Sequence, residues 1–169
     1  KAFLFQKVRV PLWILVATSV VNALITLAVF SVGIVVFLTL AGRAPSLAGI
    51  GLFASYVLAL ALLVVAFSLA TSVLFLKYRD LNQVWDVVSQ AGFFLAPIIY
   101  PIGIVPERLH FYFYLWPPTP IIEFSRAVLV ANTVPSLTAH LYLLVEVLVA
   151  LVTGALVLRR FGPKAAEWL

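Results

Sequence analysis

The feature that most limits how this sequence can fold is a pair of long apolar runs. Each run has about thirty residues and contains no charged residue. The first covers about 11–41 and the second covers about 47–76. A helix of roughly 20 apolar residues crosses a bilayer core, so both runs are long enough to span one. The composition agrees, because 64% of the residues are hydrophobic and 10% are charged, whereas soluble domains carry roughly 25% charged residues. We therefore predict an all-α integral membrane protein.

Two further apolar stretches predict two more transmembrane helices, over about 84–100 and about 137–158. The last stretch contains a single charged residue, Glu146. We therefore predict four transmembrane helices within one transmembrane domain that covers 1–169.

The segment between these two stretches, 102–136, is too apolar for an ordinary external loop and contains five prolines. Prolines this dense forbid one continuous helix, and irregular backbone at membrane depth persists only where protein or a water-filled cavity covers it. We therefore predict short re-entrant helices in this insert, and the best candidate is 120–130, with Pro120 at its start. Glu123 and Arg126 stand three residues apart there and can pair on one helix face.

The basic residues predict which side of the membrane each connection occupies. Cytoplasmic connections carry an excess of Lys and Arg, and a cytoplasmic N-terminus places eight of the 11 basic residues inside and three outside. The eight are Lys1, Lys7, Arg9, Lys77, Arg79, Arg159, Arg160 and Lys164. The three are Arg43, Arg108 and Arg126. Both ends of the chain are therefore predicted to be cytoplasmic, and the net charge of +5 is attributed to topology and not to nucleic-acid binding.

Other classes of membrane protein fit the sequence less well. The chain has no cysteine, and two histidines, His110 and His140, are too few for a histidine metal cluster. An ion-coupled secondary transporter would need several buried ionisable groups or an inverted repeat. A membrane enzyme would need clustered acids or histidines, and the nearest pairs are Asp80 with Asp86 and Glu107 with His110. Neither pair predicts a catalytic site.

An ordered set of short motifs follows the second apolar run. They are Tyr78-Arg79-Asp80-Leu81, Ala96-Pro97-Ile98-Ile99-Tyr100-Pro101, Val105-Pro106, and Trp116-Pro117-Pro118-Thr119-Pro120 followed by Arg126. With its motifs in this order, the chain resembles the C-terminal part of the permease subunits of type-2 ABC exporters for lipid-linked polysaccharides. The resemblance extends from about Gln6 to the end of the sequence. That family includes exporters of O-antigen, capsule and teichoic acid. Ala96 stands where the family usually has Ser, and Trp116-Pro117 stands where it usually has Asn-Pro.

The resemblance implies a bacterial inner-membrane permease with six spans, of which this chain would hold the third to the sixth. Residues 1–9 would then end the cytoplasmic link from the second span. Two permeases would form the channel, and two copies of a separate ATPase would hold the ATP and Mg²⁺. The chain has no Gly-rich Walker loop, so neither cofactor is expected in it. The cargo would be a glycan on a polyprenyl diphosphate or a similar lipid, and a small molecule or drug is the alternative.

The resemblance also implies roles for particular residues. Tyr78, Arg79 and Asp80 would contact the ATPase, although they could equally be a positive-inside anchor with a local Arg–Asp pair. Aromatic rings in a channel can stack on the C–H faces of sugars, or they can be the aromatic belt of any membrane interface. The residues expected at the substrate channel or gate are Phe93, Phe94, Pro97, Tyr100, Pro101, Tyr112, Trp116 and Arg126.

Two polar residues lie deep in the predicted spans. Glu146 is about nine residues into the last span and Asn22 is about eleven residues into the first, so both lie near the bilayer middle. A charge at that depth is expensive and seldom accidental. We hypothesise a hydrogen bond between Asn22 and a protonated Glu146 that joins the first and last spans. Proton coupling through Glu146 is the competing hypothesis.

Overall fold

The computed structural model describes residues 12–78 and 80–162. These residues form six α-helices and one short 3-10 turn, and no strand occurs among them. The helices are α1 Leu12–Leu40, α2 Leu47–Lys77, α3 Leu81–Leu95, α4 Glu107–Tyr114, α5 Pro118–Leu129 and α6 Leu137–Phe161, and the 3-10 turn is Ile102–Ile104. The predicted all-α class is confirmed.

Three of the helices are long and apolar enough to cross a membrane. The qualifying stretches are Ala17–Leu40 in α1, Leu47–Phe75 in α2 and Leu137–Phe161 in α6. Large apolar side chains such as Phe37 and Leu58 are exposed on them, as expected where lipid takes the place of water. These stretches agree with the predicted spans 11–41, 47–76 and 137–158 apart from a few residues at their ends.

The helix within the predicted span over 84–100 is shorter than that span. Helix α3 has 15 residues, or about 22 Å of rise, which is less than the ~30 Å of a bilayer core. It ends at Leu95 because Pro97 disfavours helical backbone in the residue before it, and Ala96 is accordingly extended, with φ −73° and ψ 133°. The chain then runs irregularly to α4, so three and not four helices in the described residues have full spanning length.

Helix α2 is the centre of the bundle, because α1, α5 and α6 all pack against it. Small residues allow the closest approaches, as is common between membrane helices. A Cβ at Gly154 of α6 would collide with the carbonyl oxygen of Ala66 in α2. A Cβ at Gly49 would lie 2.8 Å from the carbonyl oxygen of Val128 in α5. The two glycines therefore set the spacing of α6 and α5 from α2.

A hydrogen-bonded pair joins the buried Tyr56 of α2 to the half-buried His140 of α6. Tyr56 is 1% exposed, and its hydroxyl lies 2.8 Å from Nε2 of His140. The other ring nitrogen of His140 lies 2.9 Å from the carbonyl oxygen of Ser136. A carbonyl can only accept, so Nδ1 donates to it and Nε2 accepts from Tyr56 when the imidazole is neutral. The pair thus satisfies the tyrosine hydroxyl inside an apolar core.

Helix α5 runs antiparallel to α2. The ring of Phe124 lies 5.8 Å from that of Tyr56, and Val128, four residues later, packs on Gly49 near the start of α2. The Pro118 end of α5 therefore lies deeper along α2 than its Leu129 end. This geometry supports the predicted re-entrant helices, whose placement in a membrane stays a prediction. We call the side of the bundle that carries Leu40, Leu47 and Leu137 the insert side.

The Arg126 clasp as a candidate functional site

The C-terminal end of α3 leaves backbone carbonyl groups that no helical N–H can reach. Within a membrane such groups need a partner from the protein. The Tyr100 hydroxyl supplies one, because it donates to the carbonyl oxygen of Phe94 at 2.8 Å. The predicted gate residue Tyr100 therefore folds back on the helix that precedes it and closes its last turn.

Arg126 supplies partners for carbonyl groups in the irregular segment that follows α3. Its Nη2 donates to the carbonyl oxygens of Pro97 at 2.8 Å and Ile98 at 3.3 Å. Its Nη1 donates to Oε1 of Glu123 at 2.6 Å, which is the pair predicted from the sequence. We call Arg126 and its three partners, Glu123, Pro97 and Ile98, the Arg126 clasp. The planar guanidinium suits this role, because its fork can bind a carboxylate and carbonyl groups together.

The charges of the clasp also suit its position near the C-terminal end of α3. The carbonyl end of a helix carries a partial negative charge, and a cation placed near it is stabilising. The side chains of Arg126 and Glu123 are 34% and 16% exposed, so water screens their interaction only in part. Glu123 compensates the charge of Arg126, and the insert therefore places no net charge at this point.

Trp116 makes a second contact between the insert and α3. A Cβ built on Gly92 would lie 2.5 Å from Cζ2 of Trp116, so the indole packs directly on the Gly92 backbone. Any larger residue at position 92 would displace the ring. Sequence reasoning missed Gly92, and the available signal was an isolated glycine near the end of a short helical stretch. The structure thus brings Pro97, Trp116 and Arg126, three of the predicted gate residues, to the end of α3.

The predicted aromatic residues Phe93, Phe94 and Tyr112 are exposed, the first two in the last turn of α3 and the third in α4. Phe93 is 46% and Phe94 is 71% exposed, and their rings form an edge-to-face pair with centroids 5.8 Å apart. Tyr112 is 63% exposed and forms a similar pair with Phe111, also at 5.8 Å. Pro101 is exposed as well. Their aromatic faces are therefore accessible either to lipid or to a ligand.

The insert is tied to α6 as well. The Tyr142 hydroxyl of α6 donates to the carbonyl oxygen of Tyr114 at 3.1 Å. Burial raises the pKa of Tyr114, and the nearby carboxylate of Glu123 raises it further. Tyr114 is therefore a neutral side chain at physiological pH, and it stands between α6 and the clasp.

The predicted ATPase-coupling residues lie at the opposite side of the bundle from the insert. Tyr78 ends α2 and is 51% exposed, and Asp80 is exposed immediately before α3. The turn is tight, because the Leu81 N–H donates to the Tyr78 carbonyl oxygen at 3.2 Å. Arg79 lies outside the described residues. The contact of this turn with an ATPase stays a prediction.

The hypothesised hydrogen bond between Asn22 and Glu146 is wrong. Within the described residues, Oε2 of Glu146 is buried and has no hydrogen-bond partner, and Asn22 is exposed on α1. The physical reason is the packing order, because α1 and α6 each pack against α2. Whether Glu146 has a role in transport stays open as a prediction. The described residues contain no group of three or more His, Cys, Asp or Glu that could hold a metal ion.

Comparison with known proteins identifies the family. The family described as ABC-2 type transporter matches residues 3–130, which is more than half of the 169 residues and includes the clasp. Neither a curated protein nor a solved structure matches the chain. The membrane domain of this family is the permease component of a transporter, and ATP hydrolysis typically belongs to a separate subunit. The chain belongs to the ABC-2 type transporter family, as a membrane-spanning permease subunit.

Proposed function

We propose that this permease exports a lipid-linked glycan from the inner to the outer face of a bacterial cytoplasmic membrane. The observation that carries the proposal is two exposed edge-to-face ring pairs, Phe93 with Phe94 in the last turn of α3 and Phe111 with Tyr112 in α4. Aromatic faces bind the C–H faces of sugars with little sequence preference, while a tyrosine hydroxyl can bond to sugar hydroxyls. A long polymer needs such repeated, weak contacts.

The assembly we propose has two copies of the permease and two ATPase subunits, which hold the ATP and Mg²⁺. The ATPase would contact Tyr78, Arg79 and Asp80 on the cytoplasmic side, where both ends of the chain would also lie. The insert side would then be the outer face of the membrane. Arg159 and Arg160 lie in the last turn of α6, at the end opposite the insert side, and two basic residues there support this orientation.

A mechanical path connects the two sides in this proposal. Helix α3 starts directly after the Tyr78–Asp80 turn and ends at the Arg126 clasp, about 22 Å away. Trp85 of α3 stacks on Phe67 of α2 with ring centroids 4.4 Å apart, near the ATPase end. A rigid helix transmits a displacement along its axis, so movement of the turn by the ATPase would reach the insert through α3.

The experiment is reconstitution of the permease with its ATPase in proteoliposomes. ATP hydrolysis is measured with a polyprenyl-diphosphate-linked oligosaccharide, with the bare polyprenyl diphosphate, and with a panel of amphipathic drugs. We expect stimulation only by the glycan-bearing lipid. Phe94→Ala should weaken the apparent affinity for it by about threefold to tenfold, the loss expected for one stacked ring.

The matched control is Leu148→Ala, which shortens an exposed apolar residue on α6 away from the ring clusters. It should leave the stimulation unchanged. If a drug stimulates hydrolysis and the glycan does not, the cargo is a small molecule. If deletion of the gene leaves surface glycan intact and no ATPase co-purifies, the exporter proposal fails as a whole.

A further inference from the structure

An open groove of about 570 Å³ lies between α1, α2 and α5 on the insert side. Its volume is within the roughly 300–1,000 Å³ range of ligand sites. Phe30 and Phe37 form much of its α1 wall, and Phe53 forms part of its α2 wall. Ser125 and Arg126 are the polar residues that line it. The groove is therefore an apolar slot with polar groups on its α5 side.

The length of the groove matches one leaflet of a bilayer. It extends along α1 from Leu38, two residues from the helix end, to Val29. Nine residues of helix rise about 13 Å, and half of a ~30 Å hydrocarbon core is about 15 Å. The slot thus reaches from close to the insert-side surface almost to the middle of the membrane.

Gly33 keeps the middle of the groove open. A Cβ added there would meet no protein atom within 4 Å. Glycine is disfavoured inside a helix relative to alanine, and no close helix contact explains this one. Phe30 and Phe37, each 69% exposed, project on either side of it. The absence of a side chain at Gly33 is what makes the surface concave.

A basic residue lies in the turn next to the insert-side end of the groove. Arg43 is exposed in the turn after α1, and its backbone N–H donates to the carbonyl oxygen of Leu38, a lining residue, at 3.0 Å. The charge of Arg126 is already compensated by Glu123 within the clasp. The three residues together have a net charge of +1, so Arg43 is the basic residue among them that can meet an anion at this end of the apolar slot.

We propose that the groove binds one anionic phospholipid of the insert-side leaflet, with an acyl chain along Gly33 and the phosphate near Arg43. The apolar slot complements the chain, and Arg43 complements the phosphate. The resident lipid would pack against α5 directly beside the clasp and support the insert. The inference does not rest on the proposed cargo, because it concerns a lipid that stays bound.

The test is native mass spectrometry of the intact permease–ATPase complex, titrated with phosphatidylglycerol or phosphatidylcholine of identical chains. The wild type should retain phosphatidylglycerol and prefer it by roughly fivefold, the effect of one basic residue near a membrane surface. Gly33→Leu fills the groove and should reduce the retention of phosphatidylglycerol at least fivefold. Gly51→Leu is the matched control, because Gly51 is an exposed glycine of α2 outside the groove, with equally open space around its Cβ position.

Arg43→Gln provides a second variant, in an exposed turn where failure to fold is not expected. It should abolish the preference for phosphatidylglycerol and leave phosphatidylcholine binding unchanged. The proposal is overturned if the wild type retains no lipid, which would mean that another segment or a second copy covers the groove. It is also overturned if Gly33→Leu retains as much lipid as Gly51→Leu. Displacement of phosphatidylglycerol by equimolar polyprenyl diphosphate would assign the groove to the cargo instead.

Discussion

Replacing Arg126 with glutamine should loosen the insert from the bundle. One guanidinium binds Glu123 and the carbonyl oxygens of Pro97 and Ile98, and the neutral amide cannot reach all three. A hydrogen bond to a charged group contributes about 1.5–3 kcal/mol, and breaking a fully buried ion pair costs about 3–5 kcal/mol. Because the Arg126 side chain is 34% exposed, we expect a loss in the free energy of unfolding of about 2–3 kcal/mol.

Two further variants separate the charge from the geometry. Glu123→Gln leaves the contacts to Pro97 and Ile98 and still offers Nη1 an acceptor, so the loss should be only about 0.5–1 kcal/mol. Arg126→Lys keeps the charge, but one ammonium cannot serve a carboxylate and two carbonyl groups as a planar fork does. Its loss should be intermediate between those of the other two variants.

The assay is unfolding of the purified complex in mixed micelles, which gives free energies, with thermal stability by fluorescence-detected gel filtration as a second measure. The reasoning is refuted if Arg126→Gln unfolds within about 0.5 kcal/mol of the wild type, because three lost contacts should exceed the value of a single neutral hydrogen bond. It is equally refuted if Glu123→Gln costs as much as Arg126→Gln, since the carbonyl contacts would then contribute nothing.

Three other predictions follow from individual contacts. Gly154→Ala should force α6 away from the Ala66 carbonyl and lower the free energy of unfolding by about 1–3 kcal/mol, whereas Gly51→Ala, with open space around it, should not. Glu146→Gln should leave assembly and export unchanged, because the buried Oε2 has no partner to lose; loss of export with intact assembly would support proton coupling. Asp80→Asn should weaken co-purification of the ATPase without changing thermal stability, and unchanged co-purification would contradict the coupling role.

The parts of the fold that follow from local composition could be predicted. Length and hydropathy are properties of a continuous segment, so the long helices α1, α2 and α6 followed from the uncharged or nearly uncharged runs. The helix predicted at 120–130 was found at Pro118–Leu129, because proline fits the first turn of a helix. The helix within the span predicted over 84–100 ends early, at Leu95, because Pro97 disfavours helical backbone at Ala96, whereas the apolar stretch continues to Tyr100.

The candidate site was predictable only where its contacts are local. Glu123 and Arg126 are three residues apart, and helix geometry alone pairs them. The bond from Arg126 to the Pro97 carbonyl joins residues 29 positions apart, and it depends on where α5 lies relative to the end of α3. The packing of Trp116 on Gly92 depends on the same placement. The relative placement of segments that are distant in the chain leaves no periodic signal in a single sequence.

If Arg126 acts as the gate residue that the sequence predicts, the clasp limits how it can do so. An unpaired arginine would attract any anionic cargo, but this one already binds a carboxylate and two carbonyl oxygens. A cargo phosphate can bind both terminal nitrogens only if the guanidinium leaves Glu123 or Pro97, and leaving Pro97 frees the irregular segment after α3. Binding of an anion at Arg126 and release of that segment would therefore be coupled through one side chain. Arg126→Lys tests this coupling, because a lysine ammonium binds anions but cannot bind several acceptors as the planar guanidinium does. We expect this variant to uncouple cargo-stimulated ATP hydrolysis from transport more than it weakens cargo binding.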